Sequence, residues 1–142
     1  MTKIQRSLNL IMQAALEAAM PKDKFKFIPE SPKGNLIVLG AGKAAASMAA
    51  EFEKSYDKPL KGITITRYGH HTNTKFIKVV EASHPNPDES GLLASKKLFD
   101  LAAKSTIDDH IVFLVSGGAS SLLTLPFNGI LFSEKQRINN SL

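Results

Sequence analysis

The chain predicts a doubly wound α/β fold, a mainly parallel sheet of about four strands with helices flanking it. Three observations lead there. Short apolar runs, clearest at Leu36–Leu39 and Ile111–Val115, read as strands buried within a sheet. Helical periodicities separate most of the runs, which implies parallel strands joined by crossovers. Each run also gives way to glycine-rich or polar residues, and open parallel sheets bind ligands at the carboxyl ends of their strands.

The elements follow in order. Ile4, Leu8, Ile11, Ala15 and Ala19 recur at helical spacing and predict an amphipathic helix packed on the domain, with Pro21 just beyond it. Lys3 and Arg6, with no acidic residue before Glu17, also resemble a transit peptide, a reading the helical spacing outweighs. Residues 21–34, rich in lysine and proline, form a connector. A strand over Leu36–Leu39 runs into Gly40-Ala41-Gly42-Lys43, and a helix is predicted from Gly42 to Tyr56. Its inner face would carry Ala44, Ala45, Met48, Ala49 and Phe52. Gly62–Thr66, with β-branched Ile63 and Ile65, predicts a second strand, and Phe76–Val80 a third. Asp88, Glu89 and Ser90 open a helix through Leu92, Leu93, Leu98 and Leu101 to Lys104. The strand Ile111–Val115 follows, and then Ser116-Gly117-Gly118. Ser133-Glu134-Lys135-Gln136 is a capping-box pattern. Ile138 and Leu142 begin an apolar stripe behind it, so the sequence reads as an incomplete, Rossmann-like sheet cut from a longer chain.

Composition limits the function. The 142 residues fit one domain, and 43% hydrophobic with 22% charged residues suits a folded one. With no cysteine, disulfides, thiolate metal sites and cysteine nucleophiles are excluded, and a cytoplasmic location is the expectation. The net charge of +5 is scattered along the chain, without tryptophan and with only two tyrosines, which argues against nucleic acid and suits small anions. No apolar stretch approaches the ~20 residues of a membrane span.

Four clusters should line one edge of the sheet: Gly40–Lys43, Arg67–His70, Ser83–Asp88 and Ser116–Gly118. Glycines that deliver a strand onto a helix N-terminus make an anion site, because the first-turn N–H groups lack intrahelical partners. Lys43 adds a full charge there. The same glycines also serve simply for close strand–helix packing. Ser116-Gly117-Gly118 suits either a backbone nest for phosphate or carboxylate, or a tight turn. His84, before Pro85, is read either as a site residue or as part of a rigid turn. His70 and His71 point opposite ways in extended chain and do not suit one metal. His110, Asp108 and Asp109 lie at the amino end of their strand and are structural. Walker A fails, since Gly40 is only two residues before Gly42 and Ala44 follows Lys43. Gly40, Gly42 and Ala45 meet the dinucleotide fingerprint, but Arg67 stands where an acid would hold the ribose. Gly118-Ala119-Ser120-Ser121-Leu122 lacks the last glycine of a nucleophile elbow.

Together the clusters resemble the first third of the glycerate 2-kinase family that also carries a MOFRL domain and is often labelled hydroxypyruvate reductase. The resemblance runs through nearly all 142 residues. It rests on Gly40-Ala41-Gly42-Lys43-Ala44-Ala45, Thr66-Arg67-Tyr68-Gly69-His70, His84-Pro85-Asn86-Pro87-Asp88 and Ser116-Gly117-Gly118-Ala119-Ser120. Ala119 replaces a glycine common in the family, and Ser83 a small residue that is often glycine. The resemblance implies ATP-dependent, Mg2+-assisted phosphoryl transfer to the 2-hydroxyl of D-glycerate. Lys43 would be catalytic, and Gly40, Gly42, Arg67, His84, Ser116, Gly117, Gly118 and Ser120 would bind substrate or phosphate, with no metal ligand assigned. The family's later basic and acidic segments and its C-terminal domain have no counterpart here, so the 142 residues are expected to be inactive alone. Two other readings stand beside this one: an NAD(P)-dependent hydroxypyruvate reductase, and a non-catalytic assembly fragment, for instance a homodimer.

Overall fold

The computed structural model describes residues 1–25 and 28–141. Its elements are α1 (Lys3–Ala19), β1 (Leu36–Ala41), α2 (Ala45–Ser55), β2 (Lys61–Arg67), β3 (Ile77–Ala82), α3 (Glu89–Ala103), β4 (His110–Val115), α4 (Ala119–Leu122) and α5 (Phe132–Ser141). The four strands form one parallel sheet in the order β3-β2-β1-β4. β1 is buried along its whole length, as its unbroken apolar run requires.

Alternation along β1 splits the core in two. Leu36 and Val38 face one way and pack with Ala49, Phe52 and Tyr56 of α2 and its exit. Ile37 and Leu39 face the other way, against Ala94 and Leu98 of α3 and Leu122 of α4. Helices therefore lie on both faces, and the doubly wound expectation holds. Phe52 anchors the first half, edge-on to Phe25 at 5.3 Å and stacked on Tyr56 at 6.1 Å between ring centroids.

Several expectations are corrected. No residue of α1 is buried: its Thr2–Gln5 capping box fixes the start, but among the described residues no element buries its apolar stripe. An amphipathic pattern specifies which face is apolar and not what covers it. β1 continues through Gly40 to Ala41, so α2 begins at Ala45 and not at Gly42. β3 lies one or two residues later than predicted. α3 buries Gly91, Ala94, Ser95 and Leu98, while Leu93 stays exposed, because small residues let this helix sit close to the sheet. The helix α5 starts at Phe132, where Glu134 accepts from the Leu131 N–H at 2.9 Å, so the cap lies two residues before Ser133. Leu142 of the predicted stripe lies outside the described residues.

The passage from β2 to β3 uses no helix. Instead, the Glu53 carboxylate of α2 accepts from the N–H groups of Lys75, Phe76 and Ile77 at 2.6–2.8 Å and pins the incoming strand. At the opposite end of the sheet from the clusters, Asp109 accepts from Asn35 and Thr106, joining the starts of β1 and β4. Those bonds hold its carboxyl well below the usual carboxylate range, and the structural reading of Asp109 is kept. Among the described residues, no helix is long and apolar enough to cross a membrane.

Candidate functional site

Parallel strands put all four clusters at one edge, and the strand order decides which of them meet. The chain builds β1, β2 and β3 outward in one direction, then returns to place β4 on the far side of β1. The crevice of such a sheet lies where the order reverses, between the carboxyl ends of β1 and β4. Lys43 and Ser116–Gly118 stand there.

Hydrogen bonds lock these two loops together. Ser116 N–H donates to Ala41 O at 3.1 Å, Lys43 N–H to Gly117 O at 2.9 Å, and Ala44 N–H to Ser116 Oγ at 2.9 Å. Gly42 N–H donates sideways to Ile65 O at 3.1 Å, and Thr66 Oγ1 donates to Lys43 O at 3.3 Å. The amides of Gly42, Lys43 and Ala44, expected to face an anion, thus already have partners within the protein. Smallness at the glycines serves the same junction. A Cβ on Gly40 would meet Thr64 Cγ2 at 2.8 Å and Leu114 O at 3.0 Å. Gly42 has φ +131°, and a Cβ there would fall on Ser116 Oγ.

What remains open is the second loop. Among the described residues, neither Gly117 N–H nor Gly118 N–H meets a protein acceptor. The aliphatic part of Lys43 runs over both glycines, its Cε 3.8 Å from where a Gly117 Cβ would stand and its Cγ 3.3 Å from that of Gly118. His84 closes the other side: its Nε2 would lie 2.6 Å from a Gly118 Cβ, so only a glycine admits the ring. The half-buried His84 precedes a cis peptide to Pro85. An exposed lysine, two N–H groups with no acceptor among the described residues, and an imidazole therefore lie side by side at this loop.

Two predicted residues stand apart. Arg67 is exposed at the end of β2, one strand further from β4, and Ser120 is exposed on α4. Neither side chain hydrogen-bonds to the cluster. Two residues outside the predicted site set help to shape it. Tyr68 Oη donates to Asp88 Oδ2 at 2.7 Å, while Asp88 Oδ1 accepts the Gly91 N–H at 2.9 Å and caps α3. Burial raises the Asp88 pKa, but the bonds from Tyr68, Gly91 and Ser83 outweigh it and keep the carboxyl below its ordinary value. Asp88 thereby ties the loop that carries His84 to the end of β2, and Gln136 of α5 adds a bond to Pro87 O at 2.9 Å. The N-cap position of Asp88 was legible; its partner Tyr68 was not.

An anion fits this arrangement. A metal is a different matter: among the described residues no three His, Asp or Glu side chains gather, and both Asp88 oxygens are engaged.

Residues 7–142 match the family described as a domain of unknown function, DUF4147. The chain belongs to that family. It is 42% identical over 137 residues to an Agrobacterium vitis protein provisionally named hydroxypyruvate reductase, covering 95% of this chain and 31% of the relative. It is 33% identical over 135 residues to the D-glycerate 2-kinase of Thermotoga maritima, covering 93% of this chain and 32% of that enzyme. The crystal structure of a glycerate kinase from Thermotoga maritima superposes with a TM-score of 0.83 at 30% identity, over 95% of this chain and 33% of that one. The resemblance read from the four clusters is thus borne out. The chain spans about a third of the length of these relatives.

Proposed function

We propose that these residues form the Lys43 wall of a D-glycerate 2-kinase site, a wall that binds anionic oxygens and is inactive alone. The observation that carries this reading is the Lys43 side chain lying over Gly117 and Gly118, whose N–H groups meet no acceptor among the described residues, beside His84 at the switch point of the sheet. Phosphoryl transfer is mainly positioning and charge neutralisation, which such a cradle can provide. Lys43 places a mobile positive charge over the oxygens, and the two N–H groups fix their position. Ser116 contributes by holding the Ala44 amide, and Gly40 and Gly42 by letting the two loops touch. His84 stands where it can donate to or accept from a bound oxygen. Arg67 serves at the rim.

Magnesium-bound ATP, in a kinase, supplies the phosphoryl group and part of the neutralising charge. No step is assigned to the metal on this wall, where no ready set of ligands gathers. The reductase alternative is less well supported. A dinucleotide pyrophosphate needs the amides of the β1–α2 turn, and those of Gly42, Lys43 and Ala44 are already occupied.

The test is glycerate-dependent ADP formation by the purified 142-residue chain. None is expected, since one wall lacks the groups that must face it. Turnover abolished by Lys43→Ala would show that these residues suffice and would overturn the proposal of inactivity.

A further inference from the structure

Among the described residues, two apolar surfaces are left uncovered. α1 has 17 residues, a complete capping box and no buried side chain, with Ile4 72%, Leu8 60% and Ile11 67% exposed along one stripe. A lone helix of that length is marginal in water, so its stripe calls for a partner. The second surface is β4. Its Val112 and Leu114 pack under α2, whereas Ile111, Phe113 and Val115 are 44%, 42% and 61% exposed on the other face. Their register neighbours Ile37 and Leu39 on β1 are 1% exposed, because α3 and α4 reach β1 and stop short of β4. Parallel strands are ordinarily covered on both faces, and the outer edge of β4 also leaves its peptide groups free to pair.

We propose that the α1 stripe and the uncovered face of β4 dock the polypeptide that makes up the other two thirds of the family's length. The match in fold supplies the reason for this occupant. The chain superposes at TM-score 0.83 over 95% of itself, yet over only 33% of the related kinase, so the same layers belong to a body three times longer. This inference rests on family membership and not on the kinase reading. Complex formation is read without nucleotide, so either idea can fail while the other stands.

The test is co-expression of the tagged 142-residue chain with the portion of the Thermotoga maritima D-glycerate 2-kinase that the chain does not match, followed by light scattering of the purified product. A 1:1 complex is expected. Phe113→Lys and Leu8→Lys should each weaken it on the order of tenfold, while leaving the melting temperature of the chain alone unchanged. Recovery of the folded chain without its partner would overturn the proposal, as would a complex indifferent to both substitutions. A dimer of the chain dissolved by Phe113→Lys would instead assign the face to a second copy.

Discussion

Replacing Gly42 by alanine should unseat the junction on which the candidate site is built. The new methyl group would fall on Ser116 Oγ and lie 2.5 Å from Ser116 O, and Ser116 is itself anchored through its N–H to Ala41. Relief requires the 116–118 loop to move, which breaks the bonds from Lys43 to Gly117 O and from Ala44 to Ser116 Oγ. At about 1 kcal/mol each, their loss costs about 2 kcal/mol. Alanine at φ +131° adds about 1–2 kcal/mol of backbone strain. Gly69 is the control: its φ is +76°, but a Cβ there meets nothing within 4 Å, so Gly69→Ala should show the strain alone. Urea unfolding reads the difference. With a slope of about 2 kcal/mol per molar, Gly42→Ala should unfold about 1 M earlier than Gly69→Ala. Equal midpoints would refute the claim that the loops are locked through Gly42.

The remaining predictions concern the loop of His84 and the core. Asp88 has a depressed pKa in the folded protein, so its contribution to stability is complete above about pH 4 and is lost as pH falls through the folded value. Asp88→Asn keeps a good N-cap but removes the charge; acid unfolding followed by circular dichroism should therefore show a flatter stability loss below pH 4, and an unchanged acid limb would contradict the assignment. Phe52→Ala removes the ring held between Phe25 and Tyr56 and should cost about 3–5 kcal/mol in urea unfolding, against under 1 kcal/mol if that half of the core were loosely packed.

Much of the sheet was legible because the apolar runs of a parallel sheet are nearly continuous and end at the ligand edge. The runs at Leu36 and Ile111 gave β1 and β4, and the clusters after them gave the cradle. Local pattern could not show that the 116–118 loop occupies the amides of the β1–α2 turn, since that depends on a contact between Ala44 and Ser116, 72 residues apart in the chain. The anchor of the return from β2 to β3 was hidden for the same reason, because Glu53 holds it from another element. α1 was legible as a helix and misread as packed. Its stripe is real, but no other described element covers it. Lys43 drew attention by its place after Gly42, whereas Tyr68 became visible only through its bond to Asp88.

Ligand-linked thermal unfolding of the chain and its Lys43→Ala variant tests the anion cradle most directly. Lys43 is exposed, so the two proteins should melt together without ligand. With magnesium-bound ATP or D-glycerate at about ten times its Kd, the parent chain should gain about 1.4 kcal/mol and melt higher, and the variant should not respond. An equal upward shift in Lys43→Ala would contradict the account, because the anion would then be held somewhere other than over Gly117 and Gly118.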